Sequence, residues 1–335
     1  MEIQELAERL LPFCRAMYGD DSVQVSDVHK MPGHAGFAYG FTAESAKGRE
    51  SWFLRLPPPN VKWEGTADVL KQAVILKALD RTGVPHCPLK WSGDDLQWFG
   101  RPYFIVPVLE GDVLRLQEGE WGSSLSEETI YSLGEQVARA LAGVHRLDWQ
   151  TQTPSLGPPF PFDDDILRWD RFYGRFADPE RLARLPEVRQ RLLDNAPGDA
   201  TVGLFHGDFQ TANFFCSRQG ELLAIIDWEL AGVGAILNDL GWYITFSDPE
   251  AWSTEDVTRH RLFLDPETII DQYTRASGTR PAHLNWFRAL GAYKFAIITG
   301  FNLGLHRRGK RHDPLWESIG FSMNTLVDRA LDLLG

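Results

Sequence analysis

Cysteine is scarce in this sequence, with only Cys14, Cys87 and Cys216 among 335 residues. The three cysteines are far apart and odd in number, so they offer neither a disulfide framework nor a Cys-x-x-Cys metal site. Chains without such features are typical of reducing compartments. The sequence therefore predicts a cytoplasmic protein.

Basic residues are outnumbered, because 34 Lys and Arg stand against 46 Asp and Glu, for a net charge of −12. Nucleic acids and anionic membranes attract basic patches, so this balance argues against both as partners. The sequence also has no apolar run long enough to span a bilayer. The longest, near residues 222–237 and 295–305, are too short or too interrupted. The acidic N-terminus is unlike a signal peptide. The charge is compatible with a cationic or neutral substrate but does not identify one.

The residues most informative about chemistry lie in the stretch 203–241. The tripeptide His-Gly-Asp at 206–208 is followed five positions later by Asn213, and Asp227 ends a short apolar run. Each polar residue alone is explained by a turn or a cap. Together they match the loop His-x-Asp-x-x-x-x-Asn of kinases, in which the Asp receives the proton of the acceptor hydroxyl while the Asn and a later Asp hold Mg²⁺. The pattern predicts Asp208 as the catalytic residue and Asn213 and Asp227 as magnesium ligands.

These motifs resemble those of the aminoglycoside phosphotransferase (choline kinase-like) family. That family shows His-Gly-Asp-x-x-x-x-Asn, then Ile-Asp-Trp-Glu, then a Gly and an Asp-Leu pair, and this chain keeps the order through Gly234 and Asp239. It resembles most the branch found beside, or fused to, acyl-CoA dehydrogenases. The resemblance implies an α+β, bilobal protein kinase-like fold, with a small N-terminal lobe built on an antiparallel sheet (1–109) and a larger, mainly helical C-terminal lobe (110–335). It also implies ATP and Mg²⁺ as cofactors and a small-molecule hydroxyl as acceptor.

The first lobe is predicted to hold the nucleotide. Alternating apolar residues predict three strands between residues 22 and 56. The turn Gly33–Gly36 is implied by the resemblance to cover the triphosphate through backbone N–H groups. Arg55 ends the third strand and corresponds to the cation that meets the α- and β-phosphates. In related enzymes a Glu of the next helix pairs with this cation, but that position here is Gln72, which has only an amide to accept a hydrogen bond from Arg55.

A strand that begins at Pro102 predicts the hinge between the lobes. By resemblance, the carbonyl of Pro107 and the N–H of Leu109 would meet the adenine in an apolar slot. Pro107 has no N–H and serves only as an acceptor. An edge strand that ends in a proline fits the same residues.

An amphipathic helix is predicted at 3–18, in the first lobe. The second lobe is predicted to be mainly helical. Its first predicted helix runs from Ser126 to near His145, and further helices are predicted at 180–195, 267–276, 283–306 and 314–334. Between them lies a proline-rich loop at 150–165. Asp163, Asp164 and Asp165 are interpreted as a solvated helix cap, although a cationic acceptor would find a contact there. His145 is interpreted as a packing residue, and the resemblance implies that Asp239 braces the catalytic loop.

The sequence thus predicts an ATP-dependent phosphotransferase that moves the γ-phosphoryl group to a hydroxyl of a small molecule. The alternative is a catalytically weak or inactive nucleotide-binding protein with a regulatory role, which Gln72 favours and the retained Asp208, Asn213 and Asp227 oppose. A protein kinase is disfavoured because no Ala-Pro-Glu element follows Asp227. Aminoglycosides, hydroxyacyl-CoA-type acids, choline-like alcohols and sugars stay open as acceptors, since fold does not fix substrate. The choice of ATP over GTP and the oligomeric state are also open.

Overall fold

A computed structural model describes residues 2–31, 37–256 and 263–335. Its helices are α1 (Ile3–Tyr18), α2 (Val69–Leu79), α3 (Leu96–Phe99), α4 (Glu127–His145), α5 (Trp149–Gln152), α6 (Phe162–Leu167), α7 (Leu185–Asp194), α8 (Leu237–Ser247), α9 (Pro266–Ser277), α10 (Leu284–Arg307), α11 (Leu315–Ile319) and α12 (Met323–Leu334). Its strands are β1 (Gln24–Lys30), β2 (Ala38–Ser45), β3 (Gly48–Arg55), β4 (Trp91–Gly93), β5 (Tyr103–Pro107), β6 (Asp112–Val113), β7 (Val202–Phe205), β8 (Phe214–Cys216), β9 (Leu222–Ile225) and β10 (Gly232–Ala235).

The first lobe is an antiparallel sheet in the order β1-β2-β3-β5-β4 with α1 packed against it. The apolar stripe of α1, including Leu10 and Phe13, is fully buried in one cluster with Phe41 and Leu54 of the sheet. The helix ends at Gly19, whose left-handed backbone lets its N–H return to the last turn. The predicted leading helix and antiparallel strands are confirmed.

Helix α2 lies at the junction of the two lobes. It is capped by Asp68, whose carboxylate accepts a hydrogen bond from the backbone N–H of Lys71 at 2.9 Å. The apolar side chains of α2, such as Ile75, pack in a core cluster that includes Val106 of β5 and Leu141 of α4. One hydrophobic core therefore joins the small sheet to the helical lobe.

The second lobe is built on α10, which is buried over most of its length and packs against α8 and α12. Helix α4 begins where predicted, with the Ser126 hydroxyl accepting from the N–H of Thr129. Two small sheets, β7-β10 and β6-β8-β9, carry the polar loops. Two expectations were wrong in detail. The proline-rich segment contains α5 and the start of α6, and a short 3-10 turn at Gly320–Ser322 interrupts the predicted helix at 314–334.

Over the described residues, none of the helices has the length and apolar character that crossing a membrane requires. The three cysteines are free thiols, as the sequence predicts. Burial raises the pKa of Cys14 and Cys216 to about 12 and that of Cys87 to about 11, so all three are poor nucleophiles at neutral pH.

Candidate active site

The loop that follows β7 is held by Asp239, which lies in the first turn of α8 and is fully buried. Its Oδ2 accepts from the backbone N–H of His206 at 2.7 Å, and its Oδ1 accepts from that of Gly207 at 2.8 Å. His145 approaches the same carboxylate through Nε2 at 3.4 Å and contacts the Tyr273 hydroxyl through Nδ1. The bracing expected of Asp239 and the packing expected of His145 are both confirmed.

Gly207 has a backbone that only glycine adopts easily here. Its φ is +88°, and a Cβ at this position would lie 2.4 Å from the carbonyl oxygen of Leu230. A side chain would therefore strain the backbone and push apart two loops of the site. The close approach explains why Gly stands between His206 and Asp208.

His206 ties the loop to the end of β9. Its Nδ1 accepts from the backbone N–H of Asp208 at 3.2 Å, and its Nε2 donates to the carbonyl of Ile226 at 2.8 Å. These partners require a neutral imidazole with its proton on Nε2. His206 thereby links the backbone of Asp208 to that of Ile226, the residue before Asp227.

The carboxylate of Asp208 is half-buried and surrounded by hydrogen-bond donors. Oδ1 accepts from the Trp242 indole Nε1 at 2.9 Å and from Gln210 Nε2 at 3.0 Å, while Oδ2 accepts from Asn213 Nδ2 at 3.0 Å. Donors on separate elements fix the direction in which the carboxylate points. The contact with Trp242 was not predicted from the sequence. Its signal was the placement of a tryptophan three residues after Asp239, on the same face of α8.

Asn213 immediately precedes β8, and Asp227 follows the end of β9, which pairs with β8 in antiparallel register with Phe214 opposite Ile225. The backbone N–H of Ile226 donates to the carbonyl of Asn213 at 3.0 Å. Asn213 uses its amide nitrogen on Asp208, both on the carboxylate and on the backbone carbonyl at 2.7 Å, which leaves its amide oxygen as a possible ligand. Asp227 is exposed and has a left-handed backbone with φ +65°.

These two oxygen donors fit the requirements of magnesium. Mg²⁺ prefers hard oxygen ligands and keeps several waters or phosphate oxygens in its shell. Over the residues the structure describes, no cluster of three His, Cys, Asp or Glu side chains forms a complete metal cage. A cation bound by Asn213 and Asp227 would therefore need further oxygen ligands, from a bound phosphate or from water.

Arg55 at the end of β3 reaches across to the loop that follows Asp227. One guanidinium nitrogen donates to Glu229 Oε2 at 2.9 Å, with both side chains largely buried. The sequence left open whether Gln72 accepts a hydrogen bond from Arg55. The guanidinium donates to Glu229 instead. Gln72 is buried, and its amide nitrogen has no hydrogen-bond partner.

Lys71, the neighbour of Gln72 on α2, also reaches the Glu229 loop. Its Nζ donates to the carbonyls of Glu229 and Ala231 at 2.9 and 3.0 Å. Burial lowers the pKa of Lys71, opposed by the nearby carboxylates. Burial raises the pKa of Glu229, the charge of Asp227 adds to this effect, and Arg55 opposes it. The site thus concentrates carboxylates and two cations between the lobes.

The hinge residues lie where the chain passes between the lobes. Pro107 is the last residue of β5 and pairs with Trp52 of β3, and Leu109 follows two residues later. Both are half-buried. Gly33 and Gly36 lie outside the described residues. Arg55 bonds Glu229, whose pKa is raised by burial and by the charges of Asp227 and Asp208, and Asn213 bonds Asp208. The adenine contacts stay a prediction.

The acidic cluster at the start of α6 does not face solvent as a whole. Asp163 and Asp164 are exposed, but Asp165 is buried and accepts from Lys294 Nζ at 2.7 Å and from Asn238 at 3.2 Å. Burial alone would raise the pKa of Asp165, but the positive charges beside it hold the value below its usual range. The solvated interpretation was therefore wrong for Asp165. A lone lysine at 294 in an otherwise apolar stretch was the available signal.

Comparison with known sequences identifies the relatives of the chain. A family model described as "Phosphotransferase enzyme family" (APH) matches residues 39–279. Acyl-CoA dehydrogenase family member 11 of Mus musculus is 25% identical over 273 residues, which are 78% of this chain and 34% of that protein. Acyl-CoA dehydrogenase family member 10 of Mus musculus is 26% identical over 256 residues, which are 73% of this chain and 24% of that protein. The chain spans about a third or less of the length of these curated relatives.

Solved structures share the fold at low identity. A protein from Ralstonia eutropha JMP134 described as an aminoglycoside phosphotransferase has a TM-score of 0.78 and 18% identity, covering 98% of this chain and 97% of that one. A thermostable mutant of APH(4)-Ia, bound to ADP and hygromycin B, has a TM-score of 0.59 at 15% identity (96% and 98%). A choline/ethanolamine kinase family protein from Mesorhizobium loti has a TM-score of 0.57 at 14% identity (98% and 99%). These likenesses confirm the predicted bilobal protein kinase-like fold. With the family model matched over most of its length, the chain belongs to the phosphotransferase enzyme family.

Proposed function

We propose that this chain transfers the γ-phosphoryl group of ATP to a hydroxyl group of a small molecule. The observation that carries the proposal is the Asp208 carboxylate, held by donors from Trp242, Gln210 and Asn213 while still reachable from solvent. Such a group is fit to orient a hydroxyl and accept its proton. Phosphoryl transfer needs little else from the protein than positioning and charge neutralisation.

The other site residues divide the remaining tasks. Asn213 and Asp227 would hold Mg²⁺, which when bound would neutralise charge on the β- and γ-phosphate oxygens. Arg55 would bind the α- and β-phosphates, while Pro107 and Leu109 would meet the adenine. Residues 1–109 would then form the nucleotide-binding lobe and 110–335 the acceptor lobe.

The test of catalysis is ADP formation from ATP with a panel of aminoglycosides, choline-like alcohols, sugars and hydroxyacyl-CoA-type acids. Transfer to a panel member, identified by phosphorus NMR of the product, is the expected result. Asp208→Asn should abolish it, with a loss of at least about 10³-fold in kcat, because the proton acceptor is gone. Asp21→Asn, in an exposed turn, is the matched control. An Asp208→Asn protein that retains wild-type turnover would refute the proposal.

The test of nucleotide binding is the thermal shift with ATP, with and without Mg²⁺. A ligand that binds only the folded protein raises Tm by mass action. Asp208→Asn should retain the shift, whereas Asp227→Asn should lose the part that depends on magnesium. A retained shift without any turnover across the panel would favour the regulatory nucleotide-binding alternative instead.

A further inference from the structure

The partner of Arg55 lies in the other lobe, at Glu229, 174 positions along the chain. Their side chains are 16% and 28% exposed, so water screens this pair less than an ion pair at the surface. The bond engages one of the five N–H donors of the guanidinium. The remaining donors leave Arg55 able to bind an anion while Glu229 fixes its direction.

The backbone beneath Glu229 is fixed in turn by helix α2. Lys71 Nζ bonds the carbonyls of Glu229 and Ala231, and the N–H of Lys71 is itself bonded to the Asp68 cap. Through these two bonds Lys71 ties the backbone at Glu229 and Ala231 to α2. The neighbouring Gln72 brings no charge to α2 and is not bonded to Arg55. Glu229 is therefore the carboxylate that meets Arg55, and Lys71 keeps it there.

We infer that Glu229 is a positioning residue for the nucleotide, acting through Arg55, and that Lys71 supports it by anchoring its backbone. This inference rests on the proposed function, because it assigns Arg55 to the nucleotide phosphates. Loss of the Glu229 carboxylate leaves the guanidinium free to rotate, and ordering it again then falls to the bound phosphate. ADP and ATP should bind more weakly, while adenosine, which has no phosphate, should bind as before.

The experiment is a double-mutant cycle on ADP affinity, measured by isothermal titration calorimetry with chelator present. Glu229→Ala should weaken ADP about tenfold, and Arg55→Ala should weaken it at least as much. In the Arg55→Ala background, Glu229→Ala should have almost no further effect, because the residue through which it acts is absent. Chelator separates this effect from any contribution of Glu229 to a magnesium shell, since Glu229 lies two residues after Asp227.

Controls distinguish positioning from a general loss of structure. Lys71→Met should weaken ADP several-fold, whereas Lys77→Met, at an exposed position of the same helix, should not. Glu221→Ala is the exposed control for Glu229→Ala. Adenosine affinity should be unchanged in every variant.

Three outcomes would overturn the inference. The first is an unaltered ADP affinity in Glu229→Ala. The second is a higher ADP affinity in that variant, which would mean that Glu229 competes with the nucleotide for Arg55. The third is that the effects of Glu229→Ala and Arg55→Ala on ADP affinity are additive. A wild-type protein that binds no nucleotide would instead refute the proposed function. The two failures are therefore distinguishable.

Discussion

Trp242 offers a direct test of how much the orientation of Asp208 contributes to turnover. Its indole Nε1 donates to Asp208 Oδ1 at 2.9 Å, and its ring packs on Phe246 and Phe295. Trp242→Phe keeps an aromatic ring and removes this donor. A hydrogen bond to a charged group contributes about 1.5–3 kcal/mol. Because Asp208 keeps two other side-chain donors and is half-exposed, the lower end applies, which corresponds to roughly a tenfold loss of kcat.

The same aromatic cluster provides the control. Trp252 also packs on Phe246 and Phe295, but its Nε1 donates to the carbonyl of Thr245. Trp252→Phe should therefore cost similar stability, about 1–2 kcal/mol by urea unfolding, with kcat nearly unchanged. The assay is ADP release with the acceptor that the panel identifies, at saturating ATP. Equal losses of kcat in the two variants, or full kcat in Trp242→Phe, would refute the view that Trp242 orients Asp208.

Three further predictions concern the buried charges. Asp239→Asn places an amide against the backbone N–H of His206 or Gly207 and should lower the free energy of unfolding by about 3 kcal/mol, as measured in urea; a loss below about 1 kcal/mol would contradict the bracing role. Lys294→Met leaves the Asp165 carboxylate buried with one cation fewer and should cost about 3 kcal/mol, partly recovered by adding Asp165→Asn; no recovery would contradict the pairing. Because the pKa of Asp165 is lowered on folding, its ionised form stabilises the protein above about pH 4, and this contribution is lost as the pH falls through the folded value. The stability difference between wild type and Asp165→Asn should thus shrink from about pH 5 to about pH 3, and a difference that grows would contradict the direction.

The sequence predicted the parts of the site that are local in the chain. Asp208 and Asn213 share one loop that leads into β8, and Asp227 closely follows β9, which pairs with β8. Spacing and an apolar run are therefore enough to predict that they lie in one region. Helix α1 and the antiparallel strands followed from periodicity for the same reason.

The contacts that the sequence did not predict join distant segments. Lys294 bonds Asp165 across 129 positions, and Arg55 bonds Glu229 across 174 positions rather than Gln72, which is nearer in the sequence. A single charged residue in an apolar stretch indicates that the charge needs a partner. The sequence does not identify that partner, because the packing of distant segments determines it.

The contacts of Lys71 and Arg55 with the Glu229 loop, added to the core shared by α2 and α4, bear on cooperativity. A junction cross-linked in this way is preorganised. Much of the entropy of ordering the two lobes is therefore already lost during folding rather than on ligand binding. The chain should accordingly melt in a single calorimetric transition with both lobes losing structure together. Nucleotide binding should then show a small change in heat capacity, as for a rigid site rather than a closing clamp.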